Sequence, residues 1–194
     1  MTATQTAPAI TGYIPGTWDI DVVHSEIGFS IRHLMVSKVK GRFSEFSGTF
    51  VTAENPLESS VEATVALSSV DTGNADRDAH IRSVDFFDVE NHTTLAYHST
   101  GIRYDEEEGF VVDGDLTLRG VTQSVPLHLE IHGFQPTTPF GDTRTGFTAT
   151  AELDRRDFGV SFNSTLEGGG VALGHKVQIT LEIEAILRQP AEAS

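Results

Sequence analysis

The chain has 194 residues with no cysteine, and 13 Lys and Arg against 28 Asp and Glu leave a formal charge of −15. That length is one domain's worth, and a chain of this size buries about 70% of its extended surface on folding, so a core needs no covalent staple. Without cysteine there is no disulfide framework, thiol nucleophile, thiolate-held zinc or cysteine-held iron–sulfur cluster; a polyanionic surface argues against nucleic acid and anionic membranes as main partners, a local basic patch being the exception.

Residues 1–16 show no basic segment followed by an apolar run, so the sequence predicts no secretory signal and a cytoplasmic protein. No window approaches the roughly 18 apolar residues of a membrane-spanning helix, and no stable membrane insertion is expected. Residues 1–15 and 189–194 read as flexible tails around one folded unit, 16–188.

Apolar residues then recur with period two. Ile27, Phe29, Ile31 and His33 share one strand face. Residues 40–52 form the next β-region, where Phe43, Phe46 and Phe50 break strict alternation and call for a bulge. Val61, Ala63, Val65 and Leu67 alternate up to Asp71-Thr72-Gly73-Asn74, and Asn74 is placed to cap a short helix over 75–83. A strand over 95–104, a charged loop at 105–109 and a return strand bearing Phe110, Val112, Gly114, Leu116 and Leu118 follow. Arg119-Gly120-Val121-Thr122 turns the chain into Val125, Leu127, Leu129 and Ile131, and two long strands close the pattern at 143–153 and 175–187. Eight or nine strands without alternating helices favour a closed antiparallel barrel or a sandwich.

Catalytic signatures are missing. Gly168-Gly169-Gly170 precedes no helix able to present amides to a phosphate and reads as a loop, and no Ser sits in a nucleophile elbow. Eight His invite a metal reading, with His24, His33 and His98 as its candidates, yet no pair has the helical spacing of a zinc site. His128 and His132 on one strand would stand about 13 Å apart. Arg32, Lys38, Lys40 and Arg42 gather four of the 13 cations within a short stretch, either as a mouth for a polar or anionic headgroup or as solvated cations balancing nearby acids. Asp154 and Asp157 beside Arg155 and Arg156 point to ion pairing rather than acid–base work.

Twelve of the aromatic residues are Phe, against three Tyr and one Trp. A barrel of about eight strands either fills its interior with such side chains or encloses one ligand, and periodicity does not choose between them. Phe86-Phe87 and Phe158 fall in turn-like segments, which suit the rim of a cavity.

Several motifs recur in a recognisable order: Trp18-Asp19-Ile20-Asp21 with His24-Ser25 and Phe29-Ser30-Ile31-Arg32-His33; Val39-Lys40-Gly41-Arg42-Phe43 with Phe46-Ser47-Gly48; Asp71-Thr72-Gly73-Asn74, Arg77-Asp78-Ala79-His80 and Asp85-Phe86-Phe87-Asp88; Leu116-Thr117-Leu118-Arg119-Gly120-Val121-Thr122; and Asp157-Phe158-Gly159. Over residues 17–187 the chain resembles the YceI-like family of polyisoprenoid-binding proteins. The resemblance implies an all-β, extended eight-stranded antiparallel lipocalin-like barrel with one short helix, frequently a homodimer, holding a long-chain isoprenoid such as a polyprenyl chain or isoprenoid quinone. It implies binding, with no catalytic residue, cofactor or metal. By matching motif positions and strand parity, Trp18, Phe29, Ile31, Phe43, Phe46, Phe86, Phe87 and Phe158 are expected in the tunnel wall, and His33 with Arg42 at the headgroup end. Asp71, Asn74, Arg77, Asp78, Arg119 and Thr122 are expected to fix turns. Two rivals remain at this point: a His-based metal protein or enzyme, and a filled barrel acting on a protein partner as a stress-related factor.

Overall fold

A computed structural model describes residues 7–167 and 169–189. The alternating segments form antiparallel strands β1 (Gly16–Ile20), β2 (Glu26–His33), β3 (Ser37–Phe43), β4 (Phe46–Thr52), β5 (Ser60–Ala66), β6 (Val70–Asp71), β7 (Thr94–Asp105), β8 (Gly109–Leu118), β9 (Val121–Ser124), β10 (Leu127–Gln135), β11 (Arg144–Asp154) and β12 (Leu173–Leu187). Four consecutive pairs are each one stave broken by a corner. β1 pairs with β4 while β2 pairs with β3, β5 and β6 lie along the other side of that second stave, and β9 and β10 both pair with β8. Eight staves in up-and-down order result, and the ring closes where the long β12 pairs with both β2 and β1. Closure pairs the first stave with the last and so removes the long edges that an open sheet would leave exposed.

The corners have local causes. Between β3 and β4, Ser44 and Glu45 leave the strand; the Ser69 hydroxyl accepts from the Glu45 N–H at 3.1 Å and donates to the Ala66 carbonyl at 2.7 Å. This is the irregularity that the spacing of Phe43 and Phe46 required. Between β1 and β2, Arg144 of β11 bonds Asp21 at 2.8 Å, Asp142 at 2.8 Å and Glu184 of β12, tying the corner to two neighbouring staves.

One end of the barrel carries the single α-helix among the described residues, α1 (Ala75–Arg82). The Asn74 side chain accepts from the Arg77 N–H at 2.9 Å and Asp76 lies in the first turn, where the helix dipole favours a carboxylate. A mostly polar helix cannot be held by burial alone. Hydrogen bonds do it: Asp78 accepts from the Thr72 N–H at 2.9 Å, and Arg82 donates to the carbonyls of Ser68 and Val70 at 2.7 and 2.8 Å. The turn roles expected of the other motif residues are visible too, with Asp71 accepting from the Gly73 N–H, Arg119 donating to the Gly159 carbonyl and Thr122 bonded to Thr117.

At the opposite end, residues assigned from sequence to the N-terminal tail pack on the barrel. The Tyr13 hydroxyl donates to the Ala53 carbonyl at 2.8 Å, and Ile14 joins a core cluster of Trp18, Phe50 and Ala185. A larger cluster, including Leu67, Val70, Phe158 and Val160, lies toward the α1 end. Residues 1–6, Gly168 of the glycine run and 190–194 lie outside the described residues; Gly169 and Gly170 have φ of 83° and 98°, in a loop between Thr165 and Val171, as the loop reading requires.

Candidate functional site

The barrel interior is not filled. A cavity of about 510 Å³ runs between the two ends, within the usual range for ligand pockets of about 300 to 1,000 Å³. Its wall follows strand parity: Leu127, Leu129 and Ile131 from β10, Phe147, Ala149, Ala151 and Leu153 from β11, and Val177, Ile179, Leu181 and Ile183 from β12. Leu173 and Ile183 both face it; a bulge between Leu173 and Val177 takes up two residues, so this stretch covers the length of about eight strand residues, about 26 Å, or about 20 Å along the axis at the usual barrel tilt. The space is therefore long and narrow.

Two bulges extend the apolar wall beyond what strict alternation allows. Register slips between Ser99 and Gly101 on β7 and between Ile131 and Gly133 on β10. Each slip reverses parity, so that Ile102 and Phe134 turn inward although they are out of step with Leu95 and Ile131.

Polar groups gather at the ends. Toward α1 the lining includes His33, Arg77, His80 and Arg155. His80 stands edge-on between the rings of Phe86 and Phe162, at 5.0 and 4.9 Å, with its Nε2 at 2.9 Å from Asp85. Arg155 is 4% exposed and donates to the carbonyls of Gly174, Val160 and Phe162 at 2.7 to 2.9 Å. Desolvation by burial lowers its pKa, but a guanidinium remains charged at any ordinary pH. The other end brings Tyr13, Thr52, Ser59 and Thr145 to the wall, their hydroxyls largely engaged with backbone carbonyls. In the middle, the Tyr97 hydroxyl reaches the carbonyls of Val112 and Val125 at 3.1 and 3.0 Å, and burial raises its pKa far above the usual phenol value. It stays neutral and adds no charge to the wall.

Of the residues expected in the tunnel wall, Phe29, Ile31, Phe43, Phe86 and Phe87 face the cavity, as does His33 from the expected headgroup end. The others stand elsewhere. Trp18 is fully buried behind the wall, stacked on Phe50 at 6.0 Å and edge-on to Phe134 at 5.7 Å, with its Nε1–H donated to Thr52 at 2.8 Å. Phe158 is 1% exposed and packed in the α1-end cluster, and Phe46 packs against the same cluster. Arg42 corrects the headgroup assignment: it lies on the outer face of β3, 3.5 Å from Asp71 and 4.0 Å from Glu26. The cations that do line that end are Arg77 and Arg155.

The imidazoles named for a metal site are not brought together. His33 ends β2, His98 is 3.9 Å from Glu62 on the outer surface, and His24 is 2.8 Å from Asp21 at the β1–β2 corner. Asp21, His24 and Glu184 do approach one another closely, but the Arg144 guanidinium bonds both carboxylates there. That cluster is an ion-paired brace. Asp154, likewise, is bound by Arg156 at 2.6 Å, which holds its carboxyl well below the usual range.

Comparison with known proteins follows the same lines. The YceI-like domain family matches residues 18–185. A UPF0312 protein of Staphylococcus epidermidis is 38% identical over 168 residues, covering 86% of this chain and 95% of that protein. The chain belongs to the YceI-like family. Another UPF0312 protein similar to this YceI-like chain, from Photorhabdus laumondii, is 42% identical over 141 residues, 72% of each sequence. Among solved structures, the YCEI protein of Campylobacter jejuni aligns with a TM-score of 0.68 at 26% identity, covering 82% of this YceI-like chain and 91% of that one. Two more distant structures share the fold: BcnA of Burkholderia cenocepacia, with a TM-score of 0.70 at 18% identity over 85% of this chain and 98% of that one, and a polyisoprenoid binding domain from Saccharophagus degradans, with 0.65 at 16% over 88% and 98%.

Proposed function

We propose that the protein binds and carries a long-chain isoprenoid-type lipid, a polyprenyl chain or an isoprenoid quinone, and does so without catalysis. The observation that carries this reading is the cavity itself: about 510 Å³, long and narrow, apolar along its length apart from the hydrogen-bonded Tyr97 hydroxyl, with its charged groups toward one end. Such a space suits a flexible chain with a small polar terminus. Burying each CH₂ of a ligand contributes about 0.8 kcal/mol before ordering costs, so affinity comes from chain length and needs few polar contacts. His33, Arg77, His80 and Arg155 supply the end at which a carbonyl or phosphate terminus would be stabilised. The polyisoprenoid-binding name of the Saccharophagus domain supports the same ligand class.

Native mass spectrometry of gently purified protein, followed by organic extraction, tests the reading. A protein-bound mass that resolves into an isoprenoid lipid is expected; a chain that purifies empty and takes up no added polyprenol or quinone overturns it.

A further inference from the structure

We propose that the hairpin joining β2 to β3 docks the α1 end of the barrel onto an anionic lipid bilayer. The tip is Leu34-Met35-Val36, with relative exposures of 40%, 61% and 82%. Three consecutive exposed apolar side chains at a strand-to-strand turn are costly in water, where polar turn residues are the rule. The backbone repeats the anomaly: Leu34 and Met35 have φ of 49° and 61°, and the turn closes with the Val36 N–H on the His33 carbonyl. Consecutive left-handed residues are normally Asn, Asp or Gly, as at the comparable Arg119-Gly120 turn between β8 and β9, where the second is glycine. Bulky apolar groups stand where both solvation and backbone geometry disfavour them.

Charge then selects the partner. Arg32 pairs directly across the ladder with Lys38, and Ser30 with Lys40, so all three cations share the outer face of the hairpin. Like charges directly opposite destabilise a sheet. No carboxylate lies within 4 Å of Arg32, Lys38 or Lys40 among the described residues, although the chain has 28 Asp and Glu. Residues 27–44 contain no acid, and residues 173–181, the neighbouring part of β12, contain none either. Two of the chain's three lysines, Lys38 and Lys40, are in this unpaired set, whereas Lys176 on β12 is ion-paired with Glu152 at 3.1 Å. An apolar tip flanked by unpaired cations matches a bilayer with anionic headgroups: the tip enters the acyl boundary and the cations meet phosphates. A second copy docked tip to tip would set these cations against their own counterparts.

The overall charge of −15 does not forbid this. Screening confines electrostatics to about 8 Å at physiological salt, and the acidic Asp105–Glu108 loop sits at the opposite end of a barrel whose cavity alone spans about 20 Å. The position also serves exchange. His33 and Leu173 line the cavity, and the Leu34 N–H bonds the Ala172 carbonyl at 2.8 Å, so the tip is the rim of the end where the cavity's cations lie. Docking there would let a chain pass between bilayer and barrel without crossing water; this purpose rests on the carrier reading, whereas docking itself does not.

Flotation with isoprenoid-free vesicles tests it, using phosphatidylcholine alone and equal parts phosphatidylcholine and phosphatidylglycerol. The full chain is expected to float with the anionic vesicles, to be released by high salt and to ignore the neutral ones. Lys38→Gln and Lys40→Gln should each weaken binding about fivefold. Leu34→Asn with Met35→Gly should abolish it while keeping or raising the melting temperature, because these residues suit the turn. Failure of the wild-type chain to float with anionic vesicles overturns the proposal, as does wild-type binding by the turn variant. A concentration-dependent dimer lost in that variant, without flotation, would assign the tip to a second copy and also overturn it. Docking that fails while an isoprenoid is still extracted sinks only this inference; an empty cavity with docking intact sinks only the carrier reading.

Discussion

Gly41 shows how much one missing side chain decides. It pairs with Phe29 across the β2–β3 ladder, and a Cβ placed there would lie 2.4 Å from the Phe29 ring and 2.9 Å from Thr72. Glycine thus lets the Phe29 ring fold over the neighbouring strand, where its centroid sits 5.6 Å from that of Phe43 and helps shape the cavity wall. Gly41→Ala should cost about 1 to 3 kcal/mol through forced displacement of the ring, read as a lower urea midpoint, and should change lipid affinity as well. Asp154 gives a second prediction at this scale. The hydrogen bond from Arg156 depresses its pKa, so its contribution is present above the unfolded carboxyl pKa, about 3.9, and is lost as pH falls through the lower folded value. Arg156→Gln should therefore lower the melting temperature at neutral pH, and the gap from wild type should close in strong acid. Thermal melts across pH check this; a pH-independent gap would show that the pair contributes nothing through ionisation.

Among elements, α1 matters most to the cavity. It carries Arg77, His80 and Ile81 to one end of the lining and leads directly into Phe86 and Phe87. Its eight residues are too few to be stable alone, so its cap and its hydrogen bonds to residues 68–72 hold it in place. Asn74→Ala should cost about 1 kcal/mol. Because the helix forms that end of the cavity, the same change should speed lipid release, measurable as a faster off-rate in a fluorescent-lipid displacement assay. The helix, its cap and the turn residues around it were legible in the sequence because each rests on neighbours within a few positions. Trp18, Phe46 and Phe158 were not: parity and motif place a ring inside the barrel, but whether it meets the cavity or packs behind another ring depends on staves distant in sequence. Arg42 failed for a related reason. Its cluster of cations was visible, whereas its outward direction and its partners, Glu26 and Asp71, followed from the β2–β3 and β3–β6 registers.

For the whole molecule, the governing fact is that eight staves close around a space their side chains do not fill. Ala149 and Ala151 face that space from β11, where larger residues would occupy it. Ala151→Phe should fill part of the cavity and lower affinity for a polyprenyl ligand at least about tenfold, while the ligand-free protein keeps its melting temperature, since a void is being filled. Equal affinity in wild type and variant would show that the ligand binds elsewhere. With the wild-type chain, longer prenyl ligands should bind more tightly until the cavity length is used, then level off, and each should raise the melting temperature as its concentration exceeds its dissociation constant.

Composition and period-two patterning determined, by themselves, a cysteine-free, acidic, all-β chain, and the ordered motifs identified its family. These are local and additive properties: alternation marks a half-buried strand, Asn74 caps a helix, and charge counts are sums. Only the tertiary structure decided that the interior is open, that Ile102 and Phe134 join its wall through bulges, that Arg77 and Arg155 rather than Arg42 supply cations to one end, and that the unpaired cations beside Leu34-Met35-Val36 stand at the cavity rim. The physical reason is closure. When β12 meets β1 and β2, residues far apart in sequence acquire a common inside, and the volume left there depends on all eight staves at once.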